Sequence, residues 1–199
     1  VHSALASEQA KRLARRHFGE RRVDGLYRLA YNVLAIGSFV GVTAYVWRLP
    51  DWCLYSVRGA ARVLMHGGQA VCGIAILASA WQVGPFTFSG LRSVWDLLLG
   101  RPISPTPVAQ HPLPAPDARD VGWTGPYRLS RHPLNYFMLL AYWLSPVMTV
   151  KWAVFGAVSA VYMVLGSMHE GRRLLRAYGD RYQRYRQRAP EFLIRWRGR

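Results

Sequence analysis

The chain has 199 residues, 51% of them apolar, and its 26 lysine and arginine residues outnumber 10 acidic ones. Such a basic chain could bind nucleic acid or an anionic membrane surface, but four long stretches almost free of charge exclude an ordinary nucleic-acid domain. The two cysteines are too few for a disulfide framework, and neither has metal-ligand spacing around it, so no metal site is expected. We therefore expect residues 1–199 to form a single all-α integral membrane domain, with about four transmembrane helices and amphipathic surface helices.

The N-terminal 28 residues form a basic arm with a weak helical stripe of apolar side chains. Two interpretations of the arm stay open: an amphipathic helix on the membrane surface, or a plain basic flank of the first membrane helix. The chain begins at Val1 without an initiator methionine and shows no signal-peptide pattern. An alternative start codon and a further membrane segment upstream are both consistent with this beginning.

The apolar runs predict four membrane helices. They lie at residues 29–46, 63–83, 133–150 and 152–170. We expect Pro146 to kink the third helix, and Lys151 with Trp152 to mark a tight turn before the fourth. Apolar residues at helical spacing predict a surface helix over residues 89–100, and a final amphipathic helix is expected over residues 171–188.

Residues 101–120 contain six prolines and form an extended loop, which is either a lid over a site or a passive linker. With four spans, 22 lysine and arginine residues fall on the face that carries both termini and this loop, and four fall on the other face. Basic residues concentrate on the cytoplasmic side of membrane proteins. We therefore expect an integral protein of a bacterial inner membrane, with its site on the cytoplasmic face.

The last two membrane helices form a hairpin whose open ends carry Arg131-His132 and His169-Glu170. A carboxylate near a membrane needs a cationic partner, which Arg131 or His132 can supply to Glu170. A glutamate, an Arg-His pair and nearby tyrosines could together hold a zwitterionic cofactor. The glutamate would accept from an ammonium group, and the arginine or histidine would bind a carboxylate. Each residue alone has an ordinary structural explanation, and only their convergence on one face favours a site.

A series of residues in the C-terminal third carries a family resemblance. It comprises Gly125, Tyr127, Arg131, His132, Pro133, Glu170, Leu174, Gly179, Tyr182, Tyr185 and Pro190. In order and spacing it resembles the isoprenylcysteine carboxyl methyltransferase superfamily of integral-membrane methyltransferases. The N-terminal half looks most like the methanethiol S-methyltransferase-like branch of that superfamily.

The resemblance implies S-adenosylmethionine bound in a cytoplasmic pocket formed by residues 125–190. It also implies methyl transfer to a small thiol or a lipophilic acceptor that enters from the bilayer. Cofactor binding is implied for Tyr127, Arg131, His132, Pro133, Glu170, Tyr182 and Tyr185. Catalytic roles are implied for Arg131 and Glu170.

Two positions depart from the family pattern: Asn135 replaces a tyrosine, and Gly171 replaces a second glutamate. They leave a second interpretation open, a non-catalytic membrane accessory or binding protein of the same fold. A membrane reductase is a third, because sterol reductases resemble this C-terminal arrangement, although the chain has too few spans for a sterol pocket. The expected partners are membrane lipid and a small or lipophilic acceptor, with no nucleic acid, and the oligomeric state stays open.

Overall fold

The computed structural model describes residues 8–103 and 124–192 of the chain. In chain order the elements are α1 (Glu8–Phe18), α2 (Glu20–Trp47), β1 (Cys53–Ser56), α3 (Gly59–Val83), α4 (Pro85–Ser89), α5 (Leu91–Leu98), a 3₁₀ turn (Gly125–Arg128), α6 (Pro133–Trp143), β2 (Val147–Thr149), α7 (Val150–Tyr178) and α8 (Asp180–Arg188). Of the described residues, 79% are helical, and among them α2, α3 and α7 are long and apolar enough to cross a membrane. The all-α membrane fold is therefore confirmed. Most of the proline-rich loop, with its lid or linker interpretation, lies outside the described residues.

The described residues form two compact units, and the expectation of a single domain stays a prediction. The first unit falls within residues 1–49 and 84–107 and is built on α2. Its basic arm is helical on both sides of a break at Gly19, where φ is 81°. An ion pair of 2.7 Å between Arg15 and Asp24 joins the two parts of the arm. The described part of the arm is thus helical, and its location on a membrane surface stays a prediction.

Helix α5 confirms a helix within residues 89–100 and packs against α2 in the first unit, and its location on a membrane surface stays a prediction. The contact is close, because a Cβ added to Gly25 would lie 2.7 Å from the side chain of Leu97. The end of α4 is held by Arg28 and Asn32, which donate to the backbone carbonyl of Phe88 at 2.8 and 3.1 Å. The last carbonyls of a helix have no partner within the helix, so these two side chains satisfy one of them.

The second unit falls within residues 50–83 and 108–199, and it places α3 beside α6. Gln69 of α3 donates a hydrogen bond of 3.1 Å to the backbone carbonyl of Ala141, in the last turn of α6. One polar residue in an apolar helix thereby satisfies a carbonyl that the neighbouring helix leaves without a partner.

The third predicted membrane helix is wrong in its C-terminal part. Helix α6 ends at Trp143, after a rise of about 16 Å, roughly half the hydrocarbon thickness of a bilayer. Pro146 lacks an N–H, and Ser145 before it is disfavoured in helical conformation, so the helix stops instead of kinking. The chain continues as β2, antiparallel to β1. The predicted tight turn is also wrong, because Lys151 lies in the first turn of α7.

An ion pair of 3.4 Å joins Asp51 and Lys151 at the end of the unit where the two strands pair. The Asp51 carboxylate also accepts from the backbone N–H groups of Trp52 and Lys151. Burial raises the pKa of Asp51, but the Lys151 charge and these hydrogen bonds outweigh it, so the pKa lies below its ordinary value. The stabilisation that Asp51 contributes is therefore present at neutral pH and is lost only as the pH falls through that lowered value.

Candidate functional site

The open ends of the predicted hairpin meet. The Nδ1 atom of His132 lies 3.2 Å from a carboxylate oxygen of Glu170, and the two side chains are 3% and 17% exposed. His132 stands just before α6, which begins at Pro133. A proline suits the first turn of a helix because the N–H there has no helical partner. The His132 N–H donates to the Ser130 hydroxyl at 3.1 Å. The backbone at His132 is therefore restrained by this hydrogen bond on one side and by Pro133 on the other.

One turn further into the hairpin, a second polar contact fixes the register of α6 and α7. The Asn135 amide donates to the hydroxyl oxygen of Ser167 at 3.0 Å. Ser167 is fully buried, and a buried hydroxyl requires a hydrogen-bond partner. Asn135, which departs from the family tyrosine, therefore ties the two helices together directly below the His132–Glu170 pair. Sequence reasoning missed this tie because a serine in an apolar run does not reveal its partner.

Arg131 pairs with a carboxylate that sequence reasoning also missed. Its Nη2 lies 3.3 Å from a carboxylate oxygen of Glu191, and its side chain is 11% exposed. The backbones dock as well, because the Arg131 N–H donates to the Pro190 carbonyl at 2.8 Å and the Ser130 hydroxyl donates to the Glu191 carbonyl at 2.7 Å. The one available signal was an acidic residue directly after the final proline of the family series.

Three predicted site tyrosines are fully buried: Tyr127, Tyr182 and Tyr185. The last two lie on the inner face of α8, where they pack with Leu174 of α7. Burial raises the pKa of all three hydroxyls, and the Glu170 charge raises that of Tyr127 further. All three therefore stay neutral at physiological pH, and the effect on Tyr127 places it within electrostatic reach of Glu170.

Tyr182 connects α8 to the position of the missing glutamate. A Cβ added to Gly171 would lie 3.5 Å from the Tyr182 hydroxyl. The Arg131 charge partly offsets the effect of burial on the pKa of Tyr182. The space that a side chain at position 171 would enter is therefore next to Tyr182, which is itself close to Arg131.

Replacing Tyr185 with phenylalanine should destabilise the second unit. The Tyr185 hydroxyl donates to the backbone carbonyl of Tyr127 at 2.8 Å, and loss of this buried hydrogen bond should cost about 1–2 kcal/mol. Because burial raises the pKa of Tyr185, the contribution should persist up to about pH 10 and decline above it. Thermal unfolding in detergent would measure the change. Tyr45→Phe, at an exposed tyrosine, is the control, and equal melting temperatures would contradict the prediction.

Among the buried atoms of the site, Arg131 Nε and His132 Nε2 form no hydrogen bond within the described residues. Nearly all buried polar atoms in proteins have a partner, and a bound ligand could supply one to each of these two atoms. The arginine atom is a donor, and the histidine atom donates or accepts according to its tautomer. Arg131 and His132 can offer donors to the carboxylate of a ligand, and the Glu170 carboxylate beside them can accept from an ammonium group. This arrangement fits the amino-acid end of a zwitterionic cofactor. No group of residues that could hold a metal ion occurs within the described ranges.

Comparison with known proteins identifies the relatives of the chain. It is 38% identical over 189 residues to the methanethiol S-methyltransferase of a Pseudomonas species, covering 94% of this chain and 65% of that protein. It is 27% identical over 196 residues to that of Mycobacterium tuberculosis, covering 98% and 72%. The chain is a homologue of the methanethiol S-methyltransferases. A further relative, methanethiol S-methyltransferase 1 of Bradyrhizobium diazoefficiens, is 32% identical over 124 residues, covering 62% and 39%.

The family resemblance predicted from the sequence is thereby confirmed for this methanethiol S-methyltransferase homologue. The chain matches between 39% and 72% of the length of these three relatives. No family model and no solved structure matches it.

The structure of this homologue brings the predicted site residues into one cluster of the second unit. His132 contacts Glu170, the Tyr185 hydroxyl contacts the Tyr127 backbone, and the rings of Tyr182 and Tyr185 lie 5.9 Å apart. Pro133 is buried at the start of α6. The part that each residue plays toward a ligand stays a prediction.

Proposed function

We propose that the chain binds S-adenosylmethionine at the cluster of Arg131, His132 and Glu170 and transfers its methyl group to a small thiol or a lipophilic acceptor. The observation that carries the proposal is the buried His132–Glu170 pair beside two buried atoms without partners among the described residues. The relatives are named for methanethiol, so a small thiol is the first acceptor to test.

The residues of the chain bind and orient the reactants. Glu170 accepts from the ammonium group of the cofactor, and its pairing with His132 holds the carboxylate in place. Arg131 and His132 offer buried donors to the cofactor carboxylate. When bound, S-adenosylmethionine supplies an electrophilic methyl group on its sulfonium. The chain adds positioning, which converts the encounter of two reactants into a reaction within one complex.

The buried tyrosines exclude water from this cluster. Tyr127, Tyr182 and Tyr185 are neutral, and their rings fill the space between the 3₁₀ turn, α7 and α8. A dry site strengthens the attraction between Glu170 and an ammonium group, because the effective dielectric constant falls. The same exclusion protects an activated methyl donor from attack by water.

The cytoplasmic face of a bacterial inner membrane is the proposed location of the site. Helix α8 carries four arginines on its exposed side, at positions 181, 184, 186 and 188, and such a concentration is typical of the cytoplasmic side. Membrane lipid is the proposed partner of the apolar helices. In the apolar windows of α2, α3 and α7, at most 11% of the residues are buried, so lipid must cover most of their surface.

The experiment that tests the proposal incubates the detergent-purified chain with S-adenosylmethionine and methanethiol. The expected products are dimethyl sulfide and S-adenosylhomocysteine in equal amounts, with one proton released from the thiol. If methanethiol yields no methylated product, longer thiols and lipophilic acceptors are tested next. Folded protein that methylates no acceptor of either class would contradict the proposed activity.

A non-catalytic relative is the second candidate, and one observation favours it. The Asn135 amide is engaged by Ser167, and Gly171 has no side chain, so neither position offers the group that the family pattern places there. Such a protein would bind S-adenosylhomocysteine and yield no methylated product in the same assay. The relatives named above are methyltransferases, so the reductase interpretation has no support beyond the resemblance.

A further inference from the structure

We infer that Glu191 is a positioning residue, which holds the Arg131 guanidinium so that its Nε atom stays available to the carboxylate of the ligand. The inference rests on the proposed function, because it gives Arg131 a ligand to hold. Glu191 lies outside the family series, which ends at Pro190. Its role therefore follows from its contacts in this structure.

The backbone fixes the place of Glu191 independently of its side chain. Two hydrogen bonds, of 2.8 Å from the Arg131 N–H to the Pro190 carbonyl and of 2.7 Å from the Ser130 hydroxyl to the Glu191 carbonyl, dock the segment after α8 on the residues just before α6. Arg131 and Glu191 therefore stay adjacent without any ligand. The carboxylate lies at the guanidinium because of this docking.

Arg131 needs a counter-charge more than Glu191 does. The Arg131 side chain is 11% exposed and that of Glu191 is 36% exposed, and a buried charge is costly unless it is paired. Glu170 pairs with His132. The two basic residues of the site therefore have one carboxylate each.

The contact with Glu191 leaves part of the guanidinium available. Glu191 engages Nη2 through a single oxygen at 3.3 Å, whereas a guanidinium carries five N–H donors. The Nε atom is buried without a hydrogen-bond partner within the described residues. A group that is anchored through one nitrogen and unsatisfied at another has a set orientation and an unused donor. Anchoring of this kind by a supporting residue is what a precise binding site requires.

Glu191→Gln tests the inference, because glutamine keeps the shape of the side chain and removes its charge. Two probes are titrated by calorimetry into the purified full chain: S-adenosylhomocysteine, and 5′-methylthioadenosine, which has the nucleoside and thioether but no amino-acid end. We expect the Kd for S-adenosylhomocysteine to rise about 3- to 30-fold, the range for residues coupled in one ion-pair network. The Kd for 5′-methylthioadenosine should stay within about twofold of the wild-type value. Methyl-transfer kinetics should show a raised KM for the cofactor with kcat retained.

Two controls separate positioning from general damage. In an Arg131→Gln background, Glu191→Gln should have no further effect on either probe, because Glu191 acts through Arg131. Asp51→Asn removes a carboxylate from an ion pair with Lys151, about 29 Å along α7 from Glu170, and should leave both Kd values unchanged. Glu191→Asp shortens the side chain by one methylene and should show the same selective loss, which keeps the test available if the glutamine variant does not fold.

Four outcomes would overturn the inference. Tighter binding of S-adenosylhomocysteine by Glu191→Gln would mean that Glu191 competes with the ligand for Arg131. Equal losses for both probes would mean a general structural role, and unchanged binding of both would mean no role. If Arg131→Gln alone binds S-adenosylhomocysteine like the wild type, the proposed cofactor site itself fails, and the role of Glu191 fails with it.

Discussion

Glu170→Gln should lower kcat/KM for methyl transfer by at least about 100-fold, as expected when the carboxylate of a buried, hydrogen-bonded contact is removed. Glutamine has nearly the shape of glutamate, so the hairpin should stay folded. The Glu170 side chain is 17% exposed and contacts His132, and a neutral amide there cannot balance an ammonium group of the cofactor. Initial rates over a range of S-adenosylmethionine concentrations, at saturating acceptor, measure the change.

His169→Gln is the matched control for this prediction. His169 precedes Glu170 in α7, but its side chain is exposed, so kcat/KM should stay close to the wild-type value. Full activity in Glu170→Gln, with protein shown to be folded, would mean that Glu170 does not hold the cofactor. An equal loss in His169→Gln would mean that the effect arises from the helix and not from the carboxylate.

Gly156→Ala should lower the free energy of unfolding by about 1–3 kcal/mol, the usual cost of overpacking a close contact. An added Cβ would overlap the ring of Tyr142 and lie 3.2 Å from the ring of Trp143. The Tyr142 ring cannot simply move away, because its hydroxyl donates to the Trp152 carbonyl at 2.5 Å. Helices α6 and α7 would have to separate, as expected where glycine lets two membrane helices approach closely.

Gly166→Ala on the same helix is the control. A Cβ added at Gly166 meets nothing within 4 Å, and alanine favours a helix over glycine by up to about 1 kcal/mol. Thermal or denaturant unfolding in detergent should therefore show a destabilised Gly156→Ala and an unchanged or stabilised Gly166→Ala. Equal stability of the two variants would contradict the close approach of α6 and α7 at Gly156.

Features that depend on local pattern were predictable from the sequence. Apolar runs of membrane length predicted α2, α3 and α7, because spanning a bilayer imposes a length that composition reveals. The meeting of His132 with Glu170 followed from a hairpin, in which the residues before the first helix return to the end of the second. The final amphipathic helix was predicted over residues 171–188, but the structure divides this range at Gly179, so its first part belongs to α7 and the rest forms α8.

Features that depend on contacts between distant residues were not predictable. The end of α6 at Trp143 requires an extended segment after it, which is stable because β2 finds β1 more than 90 residues earlier in the chain. A proline in an apolar run predicts either a kink or a stop, and only the partner strand decides between them. The pairing of Arg131 with Glu191, which are 60 residues apart in the sequence, was unpredictable for the same reason. The charges were visible in the sequence, but the docking that brings them together was not.

Calorimetric titration of S-adenosylhomocysteine into the detergent-purified chain, beside a Glu170→Ala variant, tests whether the chain binds its cofactor at Arg131, His132 and Glu170. We expect saturable binding at one site per chain in the wild type and loss of this binding in the variant, with the same helical content in both by circular dichroism. Absence of binding by the folded wild type, or equal binding by the variant, would contradict a cofactor site at Arg131, His132 and Glu170.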